Sequence, residues 1–191
     1  MNIKKVKIDR QAIAQLGYKL PFSFDKVEIS QGYNGPYSHF PTERGFNTLY
    51  DNRYCIDFKL PFGTPILAAK SGRIFGIVDY FSDYYEGLKL ERGIKSSPNF
   101  IILKHKNGFN TLYSHLEKGS AEVMEKQEVM KGQVIAKTGR SGWIGPTPHL
   151  HFSVVEDSKS RLSFPVIFDD YKGPLEHSSI ENYLKPHAFI L

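Results

Sequence analysis

The segment HLHFSVV, residues 149–155, has the composition of a β-strand. It directly follows Gly-Pro-Thr-Pro, a sequence that ends a loop at the start of the strand. On a strand, residues two apart point to the same face, so His149 and His151 would project side by side. Leu150 and Phe152 would then face the core behind them. Two imidazoles on such a rigid support indicate a metal or catalytic site, whereas two unrelated surface histidines would leave the same pattern.

Similar segments recur along the 191 residues of the chain. Most are short, rich in Ile, Val, Leu, Phe and Tyr, and bounded by turn residues; they lie at 65–69, 72–80, 99–105, 110–116 and 133–139. Asn107-Gly108 separates two of them and predicts a two-residue hairpin turn. Residues 120–129 (SAEVMEKQEV) predict either one short helix or a loop with a helical turn. The predicted fold class is all-β, mainly antiparallel.

Two long polar stretches, residues 33–53 and 81–97, are interpreted as loops, and long loops on a small β domain usually carry function. We predict the following organisation: an N-terminal extension (1–24), one domain (25–165) and a C-terminal extension (166–191). Within the last, SSIENYLKPH (178–187) predicts a short helix with a serine N-cap.

The bulk composition narrows the classes of partner. The net charge of +5 favours an anionic partner, but the 25 Lys and Arg residues are scattered, which argues against a nucleic-acid-binding tail. The single cysteine, Cys55, cannot form an intrachain disulfide. No apolar stretch approaches the roughly 20 residues that span a membrane, and the N-terminal residues lack the apolar core of a signal peptide. We therefore expect no nucleic-acid partner and no transmembrane segment.

Two further motifs accompany the histidine pair, DFKLPFGTPILAAKSGRI (57–74) and TLYSHLEKGS (111–120). Together with TGRSGWIGPTPHLHFSV (138–154), they resemble the lysostaphin/LytM-type metallopeptidase family. Its pattern is an Asp before a Pro-x-Gly-Thr-Pro turn, then Tyr-x-His-Leu, then His-Leu-His-Phe. The resemblance covers roughly residues 30–155. It implies a duplicated hybrid-motif, barrel-sandwich-like fold and a zinc-dependent endopeptidase that hydrolyses amide bonds in peptidoglycan cross-links or stem peptides.

The resemblance also implies roles for four residues. Asp57 and His151 would be zinc ligands, and His115 and His149 would be the catalytic pair that does not bind the metal. This division is physically coherent, because a catalytic zinc keeps three protein ligands and an open position for water. One imidazole can take the proton of that water, and the other can stabilise the oxyanion.

The third ligand departs from the common pattern. The family usually places a histidine four residues before the Asp, and here that position holds Arg53, which cannot bind zinc. His39, at the end of QGYNGPYSH, is the best replacement, since some relatives have a Gly-rich segment that ends in Ser-His. Loop closure costs rise slowly with length, so His39 can return to the site. A solvated loop histidine is the alternative.

Further residues are predicted to line the substrate groove or to support the backbone. Arg140 and Trp143 on the loop before the histidine strand, and Tyr84 in an aromatic cluster, are predicted to line the substrate groove. Asn99 fits a family position before a core strand and is expected to hydrogen-bond backbone groups. The resemblance further implies a peptidoglycan peptide as substrate, a Zn²⁺ cofactor, and a cell-envelope or secreted location. We also expect a monomer.

Two rival hypotheses come from the same residues. A non-catalytic relative that binds cell wall or regulates another hydrolase is suggested by Arg53, although Asp57, His115 and His149 are all present. The segments GTPILAAKSGRIFGI and KGQVIAKTG also resemble the halves of a biotinyl or lipoyl carrier barrel, with Lys70 near a turn. That second resemblance leaves the histidine pair unexplained.

Overall fold

A computed structural model of the chain describes residues 17–23, 27–44, 48–83, 97–142, 144, 147–156, 162–173 and 189–190. Within these residues the secondary structure consists of thirteen strands and no helix: β1 (Val27–Gln31), β2 (Pro41–Arg44), β3 (Thr48–Asp51), β4 (Ile56–Lys59), β5 (Pro65–Leu67), β6 (Gly72–Val78), β7 (Phe100–Lys104), β8 (Phe109–Ser114), β9 (Glu128–Val129), β10 (Val134–Lys137), β11 (His149–Glu156), β12 (Ser163–Phe164) and β13 (Phe189–Ile190). The helix predicted at 178–187 lies outside the described residues.

Nine of these strands form one sheet in the order β13-β1-β4-β11-β8-β7-β6-β9, with β12 beside the far end of β11. β5 and β10 form a two-stranded sheet, and so do β2 and β3. Every pairing between these described strands is antiparallel, which confirms the predicted fold class. The large sheet is open, since β13 and β9 end it on either side. β11 lies near its middle, between β4 and β8.

The core lies on one face of the central strands. Leu150, Phe152 and Val154 of β11 are fully buried, as are Ile56 and Phe58 of β4, and each of these residues alternates with a side chain on the opposite face. Burying one such side chain stabilises the fold by roughly 1.5–3 kcal/mol. This alternation forces the intervening residues, which include both histidines of the strand, onto the other face.

Side chains from both predicted extensions also belong to the core. Tyr18 and Phe22 precede β1, and Phe168 and Tyr171 follow β12; all four are buried in the main cluster. The rings of Phe22 and Phe168 each contact Phe58, with centroids 5.0 and 6.0 Å apart. The domain limits of 25 and 165 remain predictions. No helix in the described part of the chain is long and apolar enough to cross a membrane.

The hairpin at Asn107-Gly108 joins β7 to β8 as predicted, with one difference. The amide of His105 donates to the carbonyl of Phe109 at 2.9 Å, so the loop contains three residues rather than two. Within this loop, only Gly108 has a positive φ, +85°. A three-residue loop that ends in a left-handed glycine is the next most common hairpin connection.

Two other sequence interpretations need correction. Of the two predictions for residues 120–129, the short helix is wrong: these residues form a loop with a turn at 125–126, followed by β9. Lys126 adopts a φ of +69° that ends any helical turn, and Val123 and Val129 are both buried in the core. Their spacing of six residues does not place two side chains on one helix face. The stretch 33–53 is not one loop, since β2 and β3 pair within it.

Candidate active site

The strand ladder brings Asp57 and His151 face to face. Asp57 lies on β4 and is the direct cross-strand partner of His151 on β11. Directly opposed residues share one face of a sheet and lie about 5 Å apart. The Nδ1 atom of His151 lies 2.8 Å from Oδ1 of Asp57. The register of two central strands is therefore sufficient to create this contact.

His39 reaches the same carboxylate from the loop of residues 32–40. Its side chain is fully buried, and its Nε2 atom lies 3.3 Å from Oδ1 of Asp57. Nδ1 of this ring lies 2.9 Å from the carbonyl oxygen of Gly32 and must be the donor, because a carbonyl only accepts. In the neutral ring Nε2 is then an acceptor, and it has no hydrogen-bond partner among the described residues. Nitrogen and oxygen atoms of His39, Asp57 and His151 all lie within 4.8 Å of one another.

This group fits a bound zinc ion. A lone pair on Nε2 of His39 and the carboxylate of Asp57 are both acceptors, so at 3.3 Å they repel unless a proton or cation lies between them. Burial opposes ionisation of Asp57, but the facing rings of His39, His149 and His151 hold the pKa of its carboxyl well below the usual range. Two imidazoles and an ionised carboxylate form a donor set that zinc accepts, with one position left for water.

His115 and His149 lie beside this group, with ring centroids 4.8 Å apart. Nδ1 of His115 lies 2.8 Å from the carbonyl oxygen of Ser141, and Nδ1 of His149 lies 3.0 Å from that of Thr147. Both nitrogens must donate, so in each neutral ring Nε2 carries the lone pair. Nε2 of His149 lies 3.9 Å from Oδ1 of Asp57. The structure thus gathers all five residues that were predicted as ligands or catalytic groups.

His115 is held in an unusual backbone conformation directly after β8. Its φ of +66° lies in the left-handed region that non-glycine residues seldom adopt. The hydroxyl of Ser141 donates to the carbonyl of Leu116 at 2.7 Å and accepts from the amide of Asn99 at 2.9 Å. The side chain of Asn99 bonds both backbone groups of Phe81 and the carbonyl of Leu116, in line with its predicted task. These buried bonds fix the turn that presents the imidazole.

The sequence interpretation missed two supporting residues. Ser141 contributes both its hydroxyl and the carbonyl that orients His115, yet a serine in the loop sequence Gly-Arg-Ser-Gly carries no distinctive signal. Gln31, at the end of β1, donates from Nε2 to Oδ2 of Asp57 at 2.9 Å. Its contribution depends on an irregular strand register that the sequence pattern does not reveal.

Arg53 and Cys55 both lie outside the candidate metal group. The guanidinium of Arg53 pairs with Asp51, with Nε 2.9 Å from Oδ2, and its side chain is 40% exposed. Cys55 is buried, and desolvation raises the pKa of its thiol, so it behaves as a small packed side chain. The position where the family pattern has a histidine is therefore engaged in a partly exposed ion pair, and His39 fills the space beside Asp57.

The residues predicted to line a groove are only partly described. The amide of Arg140 donates to Oδ1 of Asp83 at 2.7 Å, and the buried Nε of Arg140 has no hydrogen-bond partner among the described residues. Trp143 and Tyr84 lie outside the described residues. The groove assignment of all three residues remains a prediction.

Known proteins share this fold and sequence pattern. The peptidoglycan DD-endopeptidase ShyA of Vibrio cholerae is 28% identical over 99 residues, which is 52% of this chain and 19% of that protein. The glycyl-glycine endopeptidase ALE-1 of Staphylococcus capitis is 30% identical over 129 residues, 67% of this chain and 31% of that protein. The chain thus spans less than a third of the length of either relative.

A solved zinc-containing peptidase from Vibrio cholerae superposes with a TM-score of 0.53 at 21% identity, covering 77% of this chain and 39% of that one, which is a similarity of fold. The family model described as Peptidase family M23 matches residues 51–162. That range holds Asp57, His115, His149 and His151, while His39 precedes it. Because the match extends over more than half of the chain, this protein belongs to peptidase family M23.

Proposed function

We propose that this protein is a zinc-dependent endopeptidase that hydrolyses amide bonds in peptidoglycan cross-links or stem peptides. The observation that carries the proposal is the buried Nε2 of His39, which lacks a hydrogen-bond partner and faces an ionised carboxylate that His151 also contacts. His39, Asp57 and His151 would hold the zinc ion. When bound, zinc lowers the pKa of a water molecule and polarises the substrate carbonyl.

His115 has a lone pair free to accept a proton. Burial, together with the rings of His149 and His151, lowers its pKa to about 3, which keeps the ring neutral at neutral pH but also weakens it as a base, so the assignment rests on its geometry. Its Nδ1 proton is engaged by Ser141, which leaves Nε2 as the free acceptor for a proton from the attacking water. His149, the other imidazole of the pair, would help to stabilise the carbonyl oxygen as negative charge develops there.

The substrate class follows from the relatives and from charge. The two relatives are named as a peptidoglycan DD-endopeptidase and a glycyl-glycine endopeptidase, so direct cross-links and glycine bridges are both candidate substrates. A chain with a net charge of +5 suits an anionic wall. Arg140, Trp143 and Tyr84 would line the groove, and a cell-envelope or secreted location is part of the same proposal.

Digestion of purified peptidoglycan of several wall types, with mass spectrometry of the fragments, tests the activity. We expect new amine termini whose neighbours identify the bond, and elemental analysis should find about one zinc per chain. His115→Gln should keep the zinc and lower hydrolysis by about 10²–10⁴-fold, because it removes only the proton acceptor.

The same digestion experiment distinguishes the proposed enzyme from the non-catalytic alternative. If every wall type yields no new termini while zinc is bound, the protein is a binding or regulatory relative rather than an enzyme. If His115→Gln hydrolyses peptidoglycan as fast as the unchanged protein, the assignment of the proton acceptor is wrong.

A further inference from the structure

We infer that Gln31 is a positioning residue that couples the carboxylate of Asp57 to the loop that carries His39, so that zinc binding and the order of this loop depend on each other. The inference rests on the proposed zinc site. It concerns a residue that touches none of the reacting groups directly. Gln31 is 3% exposed, so its amide is withdrawn from water and must be satisfied within the protein.

A β-bulge places Gln31 on the site face of the sheet. Ile29 is opposite Phe58, whose side chain is in the core, and a regular ladder would put Gln31 opposite Ile56, which is also in the core. The register instead shifts by one residue, and Gln31 is opposite Asp57. Because the side-chain period of a strand is two, one inserted residue moves the following side chain to the other face. The bulge thus delivers the amide to the carboxylate.

The amide of Gln31 uses both of its ends. Nε2 donates to Oδ2 of Asp57 at 2.9 Å and to the hydroxyl of Ser38 at 2.9 Å. Oε1 accepts from the backbone amides of Tyr37 at 2.9 Å and Ser38 at 3.1 Å. A primary amide has two N–H donors and two acceptor lone pairs, so its capacity is fully used. One side chain therefore links a metal-facing carboxylate to the two residues that precede His39.

The two carboxylate oxygens of Asp57 have different partners. Gln31 binds Oδ2, while His39 and His151 both lie nearest to Oδ1. Holding Oδ2 fixes the plane of the carboxylate and directs Oδ1 to the space between the two imidazoles. Groups that hydrogen-bond to a metal ligand in this way typically raise metal affinity by about 10–100-fold.

The loop is built to accommodate this side chain. A Cβ atom at Gly35 would lie 2.2 Å from Cγ of Gln31, so only glycine leaves room for it. The amide of His39 donates to the carbonyl of Gly35, and Nδ1 of His39 donates to that of Gly32. The loop therefore closes around Gln31 on one side and positions His39 on the other.

The test compares Gln31→Met, which keeps length but removes all four hydrogen bonds, with the matched control Gln133→Met. Gln133 also accepts a backbone amide, that of Met130, in a turn remote from the site. Three quantities are measured for each variant: the zinc Kd by chelator competition, the visible spectrum of the Co²⁺-substituted protein, and hydrogen exchange of residues 32–40 with and without zinc. Thermal unfolding of the metal-free proteins reports any general loss of stability.

We expect Gln31→Met to weaken zinc binding by about 10–100-fold, to change the Co²⁺ spectrum, and to abolish the slowing of loop exchange by zinc. Gln133→Met should leave all three unchanged. An unchanged Kd and spectrum in Gln31→Met would overturn the inference, even if its unfolding temperature falls.

If Gln31→Met does not fold, Gly35→Ala displaces the amide from the opposite side and is read in the same three assays. Unchanged zinc affinity in that folded variant would equally overturn the inference. Failure of the proposed function looks different, because the unchanged protein itself would then bind no zinc or cleave no wall.

Discussion

Strand β11 and the loop of residues 32–40 each supply one histidine to Asp57, by different means. His151 is placed by a ladder in which β11 is bonded to β4 on one side and β8 on the other. His39 is placed by hydrogen bonds inside the loop and by the amide of Gln31. The position of His151 depends on the whole sheet, whereas the position of His39 depends on a few local bonds.

Under the proposed assignment of His39 as the third ligand, this difference explains how one ligand position can change while the rest of the site is kept. The matched family range begins at residue 51, so the strand half of the site lies inside it and His39 lies before it. A ligand on a central strand cannot move without changing the register of its neighbours. A loop ligand needs only a route back to the carboxylate, which the buried His39 provides here.

The largest expected effect comes from removing either of the proposed histidine ligands. His39→Ala and His151→Ala should both lower zinc content from about one per chain to background and reduce hydrolysis by more than about 100-fold, since loss of an outer partner alone costs 10–100-fold. Without metal, the two variants should differ in the hydrogen exchange of the loop. His39→Ala removes a fully buried ring and its bond to Gly32, so hydrogen exchange of residues 32–40 should accelerate, while in His151→Ala it should not.

Arg53→Ala is the matched control for these ligand variants. Its guanidinium is 40% exposed and pairs with Asp51, so we expect zinc content and hydrolysis to stay unchanged and stability to fall by about 1 kcal/mol or less. Zinc retained in full by His39→Ala would mean that the third ligand has been misassigned, and zinc lost in Arg53→Ala would mean that the Arg53–Asp51 pair supports the site indirectly.

The strand half of the site was predictable because strand periodicity determines which side chains share a face. The alternation in HLHF placed both histidines opposite Leu150 and Phe152, and the structure shows both apolar residues fully buried. The hairpin at Asn107-Gly108 was also predictable from local turn chemistry, apart from its third loop residue. In both cases the information is contained within a few consecutive residues.

The loop half was less predictable because it depends on contacts between distant residues. His39 was identified through resemblance, not through its spacing from Asp57. Gln31 was missed because the bulge that turns it toward Asp57 has no marker in VEISQ. The region 120–129 has helix-forming residues, but the burial of Val123 and Val129 overrides that propensity.

His105 is a buried histidine outside the loop of residues 32–40. It tests whether the sheet alone can keep an imidazole neutral. His105 lies between β7 and β8, with Nδ1 3.0 Å from the carbonyl of Ser71 and Nε2 3.0 Å from the hydroxyl of Thr111. Burial lowers its pKa to about 4, from an ordinary value of 6.5. The unfolded chain then binds a proton that the folded chain does not between these two values, so stability decreases as pH falls from 6.5 to 4.

The expected loss is roughly 2–3 kcal/mol over that interval, at about 1.4 kcal/mol per pH unit. Urea unfolding of the metal-free protein at several pH values measures it. His105→Gln should be less stable at pH 7, because it disturbs two buried hydrogen bonds, but its decline between pH 6.5 and 4 should be shallower by one proton. An equally steep decline in that variant would show that His105 is not the group responsible.

No effect on the site is expected from changing a glycine in the β7–β8 hairpin, Gly108, in contrast to Gly35 in the loop of residues 32–40. An added Cβ at Gly108 meets no atom within 4 Å, so Gly108→Ala should cost only the left-handed backbone strain, about 1–2 kcal/mol. Zinc affinity and hydrolysis should stay at the level of the unchanged protein, because the ladder between β8 and β11 keeps its register. If Gly108→Ala instead weakens zinc binding as much as Gly35→Ala does, the site responds to general loss of stability, and the distinction between ladder and loop fails.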